Sequence, residues 1–153
     1  MTTQHILVPV DFSEHSEQAL EYAMSLAPSL RARLTLLHVI QVPILAAGPH
    51  MGAGMALASY LEQIESDMSH TLEACAKRVR AAGLTCETVI VHGVPFQQII
   101  DLAADRDVDL IVMSTYGRTG LPHMLLGSVA EKVVRLAPCP VLVTRVSDAT
   151  ATP

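Results

Sequence analysis

Cysteine is scarce in this chain. Cys75, Cys86 and Cys139 are odd in number and widely spaced, with no C-x-x-C pair and no histidine at ligand spacing. Neither a disulfide framework nor a zinc site is supported, and reduced thiols in the cytoplasm are the expectation. Basic charge is also short. Ten Lys and Arg against fifteen Asp and Glu give a formal net charge of −5, and the basic residues form no block. That argues against the electrostatic footprint of a DNA or RNA binder. The opening MTTQHILVPV has neither the basic flank nor the long apolar core of a signal peptide. One stretch, Leu34 to Leu61, carries no charged Asp, Glu, Lys or Arg, but Pro43, Gly48, Pro49, Gly52 and Gly54 break any spanning helix there. No membrane insertion is expected.

Two nucleotide signatures are missing as well. From Gly120 to Ser128 the sequence reads G-L-P-H-M-L-L-G-S, without the lysine that reaches the β- and γ-phosphates in a P-loop. No G-x-G-x-x-G follows the first apolar run, so dinucleotide redox chemistry is not indicated. His38, His92 and His123 have no partner at catalytic or metal spacing, and each reads as an edge residue or a satisfied interior one. No catalytic residue is assigned.

What is present is core. Half of the 153 residues are apolar, enough for one domain, expected over 1–146, with 147–153 as a short flexible tail. Ile6 to Val10 reads as a strand ending at Asp11, and Ser13 caps the helix that follows, with Glu14 in its first turn. Ala19, Leu20, Ala23, Met24, Ala27 and Leu30 share one helical face. Leu34 to Ile40 is a strand buried on both faces. Gln41 to about Ala58, rich in Gly, Ala, Pro and Met, reads as a crossover loop, with a ligand flap as the alternative. From Leu61 a second helix carries an apolar stripe, Glu73 in reach of Lys77, and Gly83 at its C′ position. Thr85 to Val91 is a strand. Gly93 and Pro95 turn it into a short helix with Phe96, Ile99, Ile100 and Ala103 inward. Val108 to Met113 is the fourth strand and Val141 to Val143 the fifth. Strands alternating with helices, without hairpin signals, predict an α/β fold: a doubly wound parallel sheet with helices on both faces.

The stretch from Val108 to Arg145 carries the functional signal. A strand runs into a loop holding Gly117, Gly120 and Gly127, and a helix begins near Ser128. A glycine loop feeding a helix N-terminus can turn bare amides onto an anion. Each glycine also has the plainer role of supplying positive φ in a turn. Ser128-Val129-Ala130-Glu131 reads as a capping box, a role compatible with phosphate binding.

Ser114 to Ser128, read as S-x2-G-x9-G-S, resembles the G-x2-G-x9-G-[ST] nucleotide loop of the universal stress protein family. The opening HILVPVDFSE, the LLHVI at Leu36 to Ile40, and the following LLGSVAEKV and APCPVLV are similar to it too, so the resemblance covers nearly the whole chain. It implies a five-stranded, Rossmann-like sheet of order 3-2-1-4-5. It implies a stress-response regulator that binds ATP, AMP or ADP, with Mg2+ or Mn2+ held through the phosphates. The implied site comprises Pro9, Val10, Asp11, Val39, Met113, Ser114, Gly117, Arg118, Thr119, Gly120, Gly127, Ser128, Val129 and Ala130. Asp11 would accept from ribose, or join Ser13 in capping the first helix. Val39 would offer its backbone to the adenine edge, and Arg118 would reach a phosphate or stay solvated. Further implications are a homodimer through Pro140–Thr144 and an unidentified protein partner. A nucleotide-free dimeric interaction module and a slow nucleotide hydrolase are the alternatives. Ser114 departs from the pattern, which begins with glycine. Its Cβ either crowds the ribose or, at negative φ with the side chain turned outward, is tolerated; the intact spacing from Gly117 to Ser128 favours tolerance.

Overall fold

Residues 3–41, 54–116 and 126–145 are described by the computed structural model. Within them β1 (His5–Pro9), β2 (Arg33–Ile40), β3 (Cys86–His92), β4 (Leu110–Ser114) and β5 (Val141–Thr144) alternate with α1 (Glu14–Leu30), α2 (Gly54–Ala81), α3 (Pro95–Asp105) and α4 (Ser128–Leu136). All the pairings are parallel, and the strand order is β3-β2-β1-β4-β5, as the resemblance implies. Ile6 lies opposite Leu34 on one side and Leu110 on the other.

The period-two geometry of a strand divides the core into two layers. Ile6, Val8, Leu34, Leu36 and Val112 face Leu20 and Ala23 of α1 and Leu72, Ala76 and Val79 of α2. The intervening Leu7, Leu37, Ile111 and Met113 face Ile99 and Ala103 of α3 and Ala130 and Val133 of α4. Leu7, Leu34, Leu36, Leu37 and Ile111 are fully buried. Each contributes about 1.5–3 kcal/mol relative to exposure, which is why the central strands are apolar on both faces.

Ser13 is the N-cap of α1, with Oγ accepting from the Ser16 amide, as expected. Gly83, at φ 82°, follows the end of α2. Two expectations for α2 change. The helix starts at Gly54, inside the stretch read as loop, because Met55, Ala56, Leu57 and Ala58 are strong helix formers. Residues 42–53 of that stretch lie outside the described residues. Glu73 pairs with Arg80 at 2.5 Å rather than with Lys77, since Arg80 is already anchored by its Nε donating to the Cys86 carbonyl at 3.0 Å. Among the described residues no helix is long and apolar enough to cross a membrane.

The N-terminal strand edge carries a polar chain that runs from the buried His5 and Thr35 out to the partly exposed Glu87. Thr35 Oγ1 donates its single proton to Glu87 Oε1 at 2.7 Å, so it accepts from His5 Nε2 at 2.7 Å. Arg106 donates to the same Glu87 oxygen at 2.9 Å. Asp109 Oδ2 accepts from the Gln4 and His5 amides, tying the start of β1 to the entry of β4. Burial, then the nearby Arg33 guanidinium, hold His5 below the ordinary imidazole pKa. The Thr35 hydrogen bond, then Arg106, lower Glu87.

Candidate functional site

β1 and β4 are neighbours, and the chain leaves them toward opposite faces, into α1 and α4. Their C-terminal ends therefore form the switch point where an open parallel sheet leaves a crevice. A cleft of about 790 Å3 occupies it, within the size range of small-molecule sites. Pro9, Val10, Asp11, Val39, Met113, Ser114, Gly127, Ser128, Val129 and Ala130 all line this cleft. Gly117, Arg118, Thr119 and Gly120, and His123 with them, lie outside the described residues.

Asp11 sits at the turn from β1 into α1. Its Oδ1 accepts from the Ser13 amide at 3.0 Å and from Ser13 Oγ at 2.5 Å, while its own amide donates to Ser16 Oγ at 3.3 Å. The carboxylate thus braces the helix cap and lines the cleft at once. Phe12, between them, adopts φ 63°, a left-handed conformation uncommon for a bulky residue. Its ring packs against His38 with centroids 4.5 Å apart. His38 is buried, and its Nδ1 donates to the Val10 carbonyl at 2.8 Å. This is the satisfied interior histidine expected from its isolation in the sequence.

The start of α4 differs from the capping-box reading. Gly127, at φ −67° and ψ 155°, is the N-cap, and Ser128 is the first helical residue. Glu131 donates its amide to the Gly127 carbonyl at 2.9 Å and turns its carboxylate to Arg135 at 2.7 Å, so it does not reach back over the cap. The amides of Ser128, Val129 and Ala130 precede that first helical bond and belong to the unsatisfied first turn of a helix. All three residues line the cleft. Gly127 is glycine for a reason other than positive φ. Its amide donates to the Thr115 carbonyl at 2.7 Å, and a Cβ would lie 2.7 Å from that oxygen.

Ser114 ends β4 and is not among the positive-φ residues, which meets one condition for tolerance. Its Oγ donates to the Tyr116 carbonyl at 2.6 Å. That bond commits the hydroxyl proton to the protein.

Sequence reasoning missed Lys132, which lines the cleft with Nζ 4.6 Å from the centroid of the Phe96 ring. The available signal was its spacing, one turn beyond Ser128 on the same helix face. Asp11 and Lys132 are the acidic and basic side chains among the described lining residues. The cysteines stand apart from this chemistry: burial pushes the Cys86 thiol up to about 11 and raises Cys75 and Cys139, which disfavours the nucleophilic thiolate.

Comparison with known proteins agrees with the architecture. The model of the universal stress protein family matches residues 2–145. A universal stress protein of Methanocaldococcus jannaschii is 34% identical over 140 residues, covering 92% of this chain and 81% of that one. The solved UspA of Lactobacillus plantarum shares the fold with a TM-score of 0.81 at 28% identity, over 95% of this chain and 99% of its own. Two structures share the fold at lower identity. One is a universal stress protein in complex with cAMP (24%, TM-score 0.70, covering 96% and 100%). The other is from Archaeoglobus fulgidus in complex with dAMP (22%, TM-score 0.64, covering 95% and 100%).

Proposed function

We propose that this chain, which belongs to the universal stress protein family, binds an adenine nucleotide at the switch point and uses its occupancy to bias contacts with other proteins. The observation that carries the reading is the meeting of Asp11 and the first turn of α4 in one cleft. Amides at a helix N-terminus favour phosphate, helped by the helix dipole. A carboxylate across the crevice accepts from ribose hydroxyls. Val39, at the end of β2, supplies backbone for the base, and Lys132 adds a cation at the phosphate end. The family relatives solved with cAMP and dAMP support the choice of adenine. Among the described residues no group of three His, Cys, Asp or Glu could hold a metal, so Mg2+ or Mn2+ would be carried by the phosphates themselves.

The same reading is of a cytoplasmic binding protein rather than an enzyme. We assign no general base: His38 is buried, with its Nδ1 donating to the Val10 carbonyl, and Asp11 is given to the ribose and the helix cap. Phosphate release from ATP should stay well below about 1 s⁻¹, the low end for kinases. The half-buried β5 at the sheet edge is proposed to pair with a second copy through Pro140–Thr144.

Calorimetry with ATP, ADP and AMP, beside mass spectrometry of whatever leaves the denatured protein, tests the assignment. Micromolar binding of at least one of them is expected. No binding at millimolar concentration would sink it and make a nucleotide-free dimeric interaction module the function.

A further inference from the structure

The first buried residue of α2 is Leu72, although the helix begins at Gly54. The turns before it stand at the C-terminal edge of the sheet, and Leu57, Leu61, Ile64 and Met68 repeat there at three- and four-residue spacing. Such a stripe ordinarily packs on a core. Here all four side chains line the cleft, as does Val94 after β3, and none of the five is buried. From Leu57 to Met68 the wall runs about 16 Å along the helix axis, longer than a purine ring. Glu65, on the same turns, accepts a 2.9 Å hydrogen bond from His92 Nε2, which ties this half of α2 to the end of β3.

The cleft is therefore polar at one end and largely apolar at the other, where Tyr60 and Gln41 line it beside the aliphatic stripe. Asp11, Lys132 and the α4 amides gather around β1 and β4, while the α2 wall stands beside β2 and β3, beyond Val39. A phosphate gains nothing from the apolar end, and a purine alone leaves much of it exposed to water. We propose that the purine end of the cleft continues into an apolar compartment that takes an alkyl or prenyl group carried on the base of an adenine nucleotide. This inference rests on the nucleotide reading above and adds the class of ligand to it.

The probes are AMP and N6-hexyl-AMP, titrated into wild type and into the Leu61→Asp and Ile64→Gln variants, with thermal melts to confirm that both variants fold. Burial of a hexyl chain should tighten binding at least about tenfold over AMP. Both variants should lose that gain and keep the AMP affinity of wild type. Equal or weaker binding of N6-hexyl-AMP by wild type, with AMP still bound, overturns the inference and leaves the nucleotide reading intact. A hexyl gain that survives both substitutions overturns it too, since the tail then lies elsewhere. If Leu61→Asp instead converts a dimer to a monomer with the hexyl gain unchanged, the wall belongs to a second copy and the inference fails. Binding of neither probe overturns both readings.

Discussion

Gly127 stands so close to Thr115 that a Cβ on the glycine would lie 2.7 Å from the Thr115 carbonyl oxygen, the atom that accepts the Gly127 amide. The first turn of α4 is positioned by this contact. Gly127→Ala must separate the two backbones, and overpacking of this kind costs about 1–3 kcal/mol. A lower urea midpoint with weaker ATP binding is expected; unchanged values for both would show that the loop relaxes freely.

Asp11 and Ser13 share the helix cap, but only Asp11 is proposed to meet the ligand. Loss of the carboxylate in Asp11→Ala removes the ribose acceptor, at about 1–3 kcal/mol, or five- to 150-fold in ATP affinity. Ser13→Ala removes the cap that receives the Ser16 amide and costs about 0.5–2 kcal/mol of stability with ATP affinity retained. Calorimetry and denaturant titration on both variants check the split. Equal ATP affinity in Asp11→Ala and wild type would confine Asp11 to the cap.

Ser114 meets the backbone condition for tolerance, and its hydroxyl is held by the Tyr116 carbonyl. Ser114→Gly should change the ATP dissociation constant by less than about tenfold, or 1.4 kcal/mol. A jump from no detectable binding to micromolar would mean that the serine had closed the site.

Acid should destabilise the protein in two steps. His5 has a lowered folded pKa, so below its ordinary value of 6.5 the unfolded chain takes up a proton that the folded chain resists. Its contribution is fully present above pH 6.5 and is lost as pH falls through the folded pKa. Glu87, also lowered, contributes above its ordinary 4.5 and loses that contribution as pH falls through its folded value. Glu87 is partly exposed, so solvent screens the second step. Melting temperatures across pH 4 to 8 should fall first below 6.5, and His5→Gln should flatten that part of the profile. An equally steep profile in the variant would place the acid sensitivity elsewhere.

Val141→Lys places a charge on the half-buried edge strand β5. A lysine there blocks strand-to-strand pairing, so light scattering should show a wild-type dimer and a monomeric variant at micromolar concentration. A wild-type monomer would remove β5 as the contact.

The five apolar runs, their alternation with helices, the Ser13 cap and the turn at Gly83 were all legible in the chain because each depends on residues a few positions apart. The continuous apolar runs of β1 and β2 are buried on both faces, whereas the equally apolar β5 is only half-buried because it ends up at the sheet edge. The glycine spacing before Ser128, with the family resemblance, marked the cleft, and every described residue of the implied set lines it. Packing between distant segments decided the rest. Thr115 made Gly127 rather than Ser128 the cap, and the Cys86 carbonyl drew Arg80 toward Glu73. His5, Thr35 and Glu87 became one chain only when β1, β2 and β3 were laid side by side. The stripe on α2 could be read as helical, but periodicity records only which residues share a face. Whether that face meets a core or an open cleft depends on where the sheet ends, and only the tertiary structure sets that distance.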